Sequence, residues 1–172
     1  MYADNTLTPK EAVRLCALGT LASGPMAYSG LADAIRHFVD RILGPSLDVM
    51  GASVELLKYE GLIESAGEQL AITGAGREEL RQLLTTNVRS AATDLNKLVF
   101  ALKFRFLHLL EEDDRRAQAD ILVEAAENEL ARLDDLRQHH AGDEGYLIPW
   151  LDHDIQLLES RLSWLKDFRG TL

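Results

Sequence analysis

The side chains best suited to catalysis or metal binding lie near the carboxyl-terminal end of the sequence. They are His139, His140, Asp152, His153 and Asp154. Imidazole and carboxylate groups can bind a divalent metal, but these residues follow no regular ligand spacing, and residues 142–145 separate the pair from the triplet. A solvated helix end is therefore the favoured interpretation. A metal-dependent hydrolase is the alternative, and we expect neither a metal nor a cofactor.

Cys16 is the only cysteine of the chain, so no intrachain disulfide can form and a reducing cytoplasm is the expected location. Its neighbours Leu15 and Ala17 indicate a small buried side chain rather than a reactive thiol. The sequence has no Gly-rich phosphate loop, no Gly-x-Ser-x-Gly elbow and no Cys/His pair. We therefore expect a protein that is not an enzyme.

The 172 residues carry a formal net charge of −10, and 47% of them are hydrophobic. This composition is typical of a globular protein, and no apolar run is long enough to span a bilayer, so no membrane partner is expected. A negative charge argues against nucleic-acid binding, because neutralisation of phosphates dominates such affinity. Residues 1–84 and 85–172 are both net acidic, so the argument applies to each half.

Three short helices are predicted in the amino-terminal part of the chain. Thr8 and Glu11 have the spacing of a capping box, with a proline between them at the first helical position. Ser29 and Ser46 are placed to cap the second and third helices. The third helix is expected over residues 47–59.

A β-hairpin is predicted directly after the third helix. Its strands are expected over 62–64 and 69–72, with a turn at residues 66–68. Three helices followed by a hairpin are the order of a winged helix-turn-helix. In that arrangement the third helix enters the major groove, and the hairpin, or wing, at about residues 62–73 contacts the flanking backbone.

Long helices are predicted after the hairpin, because neither Gly nor Pro occurs between Gly76 and Gly142. Apolar residues there recur at steps of three and four, which is the seam of coiled-coil packing. A helix over residues 77–110 would be about 50 Å long, which favours pairing between chains over a bundle within one chain. The predicted dimer contacts are Leu84, Val88, Leu95, Leu98, Leu102, Ile155, Leu158, Leu162 and Leu165.

These elements predict a mainly α protein in two parts. Residues 1–76 are expected to form a winged helix-turn-helix DNA-binding domain. Residues 77–172 are expected to form an antiparallel or coiled-coil-like helical dimerisation domain. Large aromatic residues at such a seam are usually core, but they also suit a pocket for a small aromatic effector. The candidate pocket residues are Phe100, Phe104, Trp150 and Trp164.

Several stretches of the chain carry a family resemblance. They are LGTLASGPM at 18–26, LKYEGLI at 57–63, LAITGAGR at 70–77 and the pair Trp164-Leu165. In this order and spacing the chain resembles the PadR-type transcriptional regulators, in their longer form with a carboxyl-terminal helical part. The resemblance implies a homodimer that represses transcription at operator DNA and is sometimes released by a small aromatic or drug-like ligand.

The sequence departs from that family in its DNA-reading part. Gly51 stands where the family usually has a tyrosine, the wing carries Glu64 and Glu68, and Lys58 is the only basic residue of the predicted recognition helix. The candidate DNA contacts are Ser29, Ser46, Asp48, Val49, Ser53, Lys58 and Gln69. The alternative function is a ligand sensor or protein-interaction adaptor that kept the winged-helix fold without strong DNA binding.

Overall fold

The computed structural model of the protein describes residues 6–43, 51–88 and 94–172. The chain divides into two compact units. The described part of the first unit is 6–43, 51–87 and 94–110, and the described part of the second is 88 and 111–172.

Three helices open the first unit: α1 (Pro9–Ala22), α2 (Tyr28–Leu43) and α3 (Gly51–Tyr59). The predicted capping box is confirmed, because the Glu11 N–H donates to the Thr8 hydroxyl and the Thr8 N–H donates to the Glu11 carboxylate. Residues 47–50 of the predicted third helix lie outside the described residues. From residue 51 to residue 59 the helix is as predicted.

The predicted capping role of Ser29 is wrong. Helix α2 begins at Tyr28, so Ser29 is its second residue, and the Leu31 N–H donates to the carbonyl oxygen of Ala27. Ser29 therefore lies within the first turn of the helix. The predicted cap at Ser46 falls outside the described residues.

The hairpin consists of β1 (Ile63–Ala66) and β2 (Gln69–Ile72), paired antiparallel so that Ala66 faces Gln69. The second strand matches its predicted bounds, whereas the first runs two residues further than residue 64. Gly67 has φ +66°, a conformation that suits glycine in a tight hairpin turn. Helix α4 (Gly74–Leu84) follows, with the Thr73 side chain accepting from the Gly76 N–H at its start.

The prediction of one continuous helix over residues 77–110 is wrong. Helix α4 ends at Leu84, and α5 (Asp94–Phe106) is a separate helix followed by a 3-10 turn at Leu107–Leu109. The hydroxyls of Thr85 and Thr86 donate to carbonyls of the preceding turn. Such bonds compete with helix continuation, so the helix ends without Gly or Pro.

Helix α1 forms the centre of the first unit. It packs against α2, α3, α4, α5 and β2, and every residue from 12 to 21 except Arg14 is buried. Helix α5 thus folds back onto α1 and α2 rather than extending away from them. This packing explains why α5 is covered within the chain.

The second unit is an antiparallel helical hairpin of α6 (Glu112–His139) and α7 (Leu147–Gly170). Ion pairs cross it between Asp120 and Arg169, Glu127 and Lys166, and Asp152 and Arg137. Partners on α7 move towards its start as α6 is followed towards its end, which is the signature of antiparallel packing.

The fold class is confirmed: the protein is mainly α, with a winged helix-turn-helix followed by carboxyl-terminal helices. Within the described ranges, no helix combines the length and the apolar character that crossing a membrane requires. The functional division at residue 76 stays a prediction. The first compact unit itself includes α4 and α5.

Candidate nucleic-acid interface

Helix α3, the predicted recognition helix, is attached to the first unit along one edge. Val54 and Leu57 are buried, with 2% and 1% of their surface exposed, and α3 packs on α1 and β1. Leu56 and Tyr59 point away from that edge and are 47% and 89% exposed. Sequence reasoning missed this second pair, although its position opposite residues 54 and 57 on a helical wheel could have revealed it.

Four of the seven candidate DNA contacts lie within the described residues. Ser29, Lys58 and Gln69 are exposed at the start of α2, on α3 and at the start of β2, whereas Ser53 on α3 is half-buried. The other three candidates, Ser46, Asp48 and Val49, lie outside the described residues. The DNA-contact role of all seven stays a prediction.

The start of α2 is fixed beside the wing. The Met26 N–H donates to the Leu70 carbonyl at 3.1 Å, and the Leu70 N–H donates to the Met26 carbonyl at 2.7 Å. Tyr28, two residues later, is 42% exposed. The start of α2 and the second strand of the wing therefore contribute to one surface.

A glycine ends α3 and begins the turn into the wing. Gly61 has φ +73°, its N–H donates to the Lys58 carbonyl, and the Leu62 N–H donates to the Leu57 carbonyl. This pair of bonds is the Schellman arrangement, which favours glycine at the left-handed position. The Thr73 hydroxyl donates to the carbonyls of Gly61 and Leu62, so the end of α3 is also tied to the start of α4.

An arginine on α1 joins α3 to α4. Both Nη atoms of Arg14 contact the Glu60 carboxylate, at 2.9 and 3.1 Å, and Nη1 lies 3.0 Å from Oε1 of Glu79. Burial opposes the charge of Arg14, but the hydrogen bonds to the two carboxylates outweigh it and raise the pKa of the guanidinium above its ordinary value. No local pattern indicates this cluster, because Glu60 and Glu79 lie 46 and 65 positions from Arg14 along the chain.

The electrostatic character of this surface is not that of an ordinary DNA-binding face. Glu64 and Glu68 on the wing and Glu55 on α3 are exposed, and so is Lys58. The acidic wing expected from the sequence therefore faces solvent. This arrangement keeps the adaptor alternative open.

A fully buried lysine on α5 was also missed by sequence reasoning. Lys103 is 0% exposed, and its Nζ donates to the carbonyls of Leu84 and Thr86 at 2.6 and 2.7 Å. Those carbonyls lie at the end of α4, where helix geometry provides no partner. Burial lowers the pKa of Lys103 to about 7.

Cys16 is buried, as the sequence indicated, and burial raises the pKa of its thiol to about 11. The guanidinium of Arg105 lies 3.8 Å from its Sγ and stacks over the rings of Phe38 and Phe106. A neutral thiol is a poor nucleophile. The geometry therefore supports a structural role for Cys16.

The predicted dimer contacts fall into two groups. Leu84, Leu98 and Leu102 are buried inside the first unit, and Val88 and Leu95 are half-buried. The four from α7 are buried in the second unit, where α7 packs against α6. They are Ile155, Leu158, Leu162 and Leu165. Their role in dimerisation stays a prediction, and the structure adds that most of them are covered within one chain.

The candidate effector residues belong to different units. Phe100 and Phe104 are half-buried on α5 in the first unit. Trp150 and Trp164 are 55% and 53% exposed on α7 in the second unit, and Trp164 stacks on Phe168 with ring centroids 5.5 Å apart. The effector pocket stays a prediction.

The polar cluster near residue 140 contains intrachain pairs. His140 Nδ1 lies 2.6 Å from Oδ2 of Asp143, and Asp152 pairs with Arg137. Across the described ranges, no group of three or more His, Cys, Asp or Glu side chains is placed to hold a metal ion.

Comparison with known proteins identifies the family. No curated protein matches the chain. Three solved structures of PadR from Bacillus subtilis are similar to it at low identity. The structure of the transcriptional regulator PadR in space group H32 is 15% identical in sequence, with a TM-score of 0.42, and the match covers 93% of this chain and 98% of that chain. A second PadR structure is 17% identical, with a TM-score of 0.38, and the match covers 97% of this chain and 98% of that chain. The PadR complex with operator DNA is 16% identical, with a TM-score of 0.39, and the match covers 96% of this chain and 100% of that chain.

A family model described as "Putative AphA-like transcriptional regulator" matches residues 2–169, nearly the whole chain. The transcriptional-regulator class expected from the sequence resemblance is thereby confirmed, and it is not a class of enzymes. This chain belongs to the family of AphA-like transcriptional regulators.

Proposed function

We propose that the protein is a homodimeric DNA-binding regulator that represses transcription at operator DNA in the cytoplasm. Helix α3 enters the major groove and the wing contacts the flanking backbone. The two copies of α3 lie about 34 Å apart on a pseudo-palindromic site, the spacing of one helical turn of DNA.

The observation that carries this proposal is the exposed face of α3. Only Val54 and Leu57 among its described side chains are buried, so the opposite face is free to enter a groove. Ser29 and Gln69 are exposed on the neighbouring elements. Because the chain belongs to a family of transcriptional regulators, DNA is the expected partner of this exposed helix.

An apolar stripe on α7 supports the dimer. Trp150, Leu157 and Trp164 recur every seven residues and are each more than half exposed. Residues at this spacing share one helix face. The face is separate from the buried one that contains Ile155 and Leu158. We therefore assign the dimer contact to the exposed stripe, where a second copy would cover side chains worth about 1.5–3 kcal/mol each when fully buried.

The proposed regulation is release by a small aromatic effector. Such a ligand changes DNA binding only when it binds one spacing of the two recognition helices more tightly than the other. The candidate contacts are Phe100 and Phe104 on α5 and, as a separate set, Trp150 and Trp164 on α7. Repression, rather than activation, follows from the family resemblance alone.

The acidic wing favours a second candidate function. Glu64 and Glu68 are exposed where a DNA-binding wing would normally carry basic residues, and Glu55 is exposed on α3. A protein-interaction adaptor or ligand sensor on the same fold would need no basic surface. This adaptor would bind DNA weakly at every salt concentration.

Fluorescence anisotropy separates the two functions. The full chain, shown by light scattering to be a folded dimer, is titrated into DNA from its own upstream region and into a scrambled duplex, at low and physiological salt. The regulator is expected to prefer the upstream DNA and to lose affinity as salt rises. Equal or absent binding to both duplexes at low salt would reject DNA recognition and favour the adaptor.

A further inference from the structure

The buried attachment of helix α3 lies along one edge. Among its described side chains, residues 53–59, only Val54 and Leu57 are buried. They lie three positions apart and therefore on one edge of the helix. Beyond the end of the helix, the Thr73 hydroxyl donates to the carbonyls of Gly61 and Leu62. A charged contact at the same end would further restrict the angle of α3.

Arg14 provides this charged contact. Its guanidinium engages both oxygens of Glu60, with Nη1 at 2.9 Å from Oε2 and Nη2 at 3.1 Å from Oε1. The same Nη1 lies 3.0 Å from Oε1 of Glu79. Arg14 is on α1, Glu60 directly follows α3, and Glu79 is on α4. We call these three residues the Arg14 clasp.

The clasp is more constrained than an ordinary surface ion pair. The side chains of Arg14, Glu60 and Glu79 keep only 23%, 33% and 27% of their surface exposed. A guanidinium that meets a carboxylate with two parallel bonds also restricts the angle between the partners. Glu60 precedes Gly61, where the chain turns into the wing. The clasp thus acts on the junction between α3 and the wing.

We propose that Arg14 is a positioning residue for DNA recognition, which holds α3 at the angle needed to enter the major groove. The inference rests on the proposed function, because only a DNA-reading helix needs this angle. Arg14 itself does not contact DNA, since two carboxylates of the same chain occupy its guanidinium. Its loss therefore reduces selectivity more than it reduces the general attraction to phosphates.

Glu79→Gln separates the clasp from simple electrostatics, because the two predict opposite changes in DNA affinity. Replacing Glu79 by Gln removes a negative charge, which by electrostatics alone would tighten DNA binding. The clasp predicts the opposite for the upstream DNA. Glu78→Gln is the matched control, because Glu78 is exposed on the same helix and accepts a hydrogen bond from its helical neighbour Gln82.

Anisotropy with upstream and scrambled duplexes is the first measurement, at a temperature where circular dichroism shows each variant folded. We expect Arg14→Met to lower the ratio of upstream to scrambled affinity about tenfold and Glu79→Gln about threefold, as for loss of a partly buried ion pair. Glu78→Gln is expected to leave the ratio unchanged. An unchanged ratio in Arg14→Met would overturn the proposal. Arg14→Lys, which keeps the charge without the planar fork, replaces Arg14→Met if that variant does not fold.

Amide hydrogen exchange tests the clasp without DNA. Peptides covering residues 51–62 are expected to exchange about tenfold faster in Arg14→Met than in the wild type, while peptides from α6 and α7 stay unchanged. Unchanged exchange over 51–62 would overturn the clasp. If the wild type binds neither duplex, the proposed function fails, and this exchange experiment still decides whether Arg14 holds α3.

Discussion

Replacing Lys103 by methionine is expected to change how the stability of the protein depends on pH. Lys103 is fully buried, and burial lowers its pKa to about 7 from the ordinary value of 10.5. Between these two values the unfolded chain holds a proton on Lys103 that the folded chain releases. Stability rises with pH wherever the unfolded state binds more protons. The wild type should therefore gain stability from pH 7 upwards, relative to a variant that cannot titrate at this position.

The size of the effect follows from the shift in pKa. One pKa unit corresponds to about 1.4 kcal/mol, so a rise from pH 7 to pH 9.5 changes the contribution of Lys103 by about 3 kcal/mol. Below pH 7 the group is protonated in both states and contributes no slope. Lys103→Met also removes the donor to the carbonyls of Leu84 and Thr86. The loss of these hydrogen bonds changes the unfolding free energy by an amount that does not depend on pH below pH 7.

Urea denaturation followed by circular dichroism at pH 6, 7, 8.5 and 9.5 measures this dependence. The quantity of interest is the difference in unfolding free energy between the wild type and Lys103→Met. Lys97→Met, at an exposed position on the same helix, is the control for loss of a lysine. A flat difference for Lys103→Met would refute the reasoning, because it would mean that the two carbonyls hold the proton up to the ordinary pKa.

Three further substitutions test the fold and the proposed dimer. In a thermal unfolding assay, Gly76→Ala is expected to destabilise the protein by about 2–3 kcal/mol, because the new Cβ would lie 2.0 Å from a backbone carbonyl oxygen. Gly74→Ala is the control: its Cβ would meet nothing within 4 Å, so stability should change by less than about 1 kcal/mol. Thr8→Ala should cost about 1 kcal/mol through loss of the capping box, and an unchanged melting temperature would contradict that role. Trp164→Ser should raise the dimer dissociation constant at least about tenfold in analytical ultracentrifugation. Gln156, exposed on the same helix outside the stripe, provides the control, because Gln156→Ala should leave that constant unchanged. Equal dissociation constants for the two variants would contradict a dimer contact at the stripe.

Local signals account for the parts of the fold that the sequence predicted correctly. The capping box at Thr8, the stop at Gly61 and the strand 69–72 each depend on residues a few positions apart. The break after Leu84 combines local threonine hydroxyls with a buried lysine 19 positions away, and the lysine contact has no local signal. The Arg14 clasp is equally non-local. Long-range pairing of charged groups cannot be deduced from periodicity, because many arrangements of the same charges are compatible with one pattern.

The error about the long arm has a physical cause that also bears on the proposed place of the dimer contact. A repeat of three and four shows that one face of a helix will be covered, but it does not identify the covering partner. Leu98 and Leu102 on α5 are covered by the first unit itself, and Leu158 on α7 is covered by α6. When the main apolar face of a helix is covered within the chain, only a second apolar face remains for contact with another copy. On α7 that second stripe is the one containing Trp150 and Trp164, and its exposure is the reason to seek the partner there.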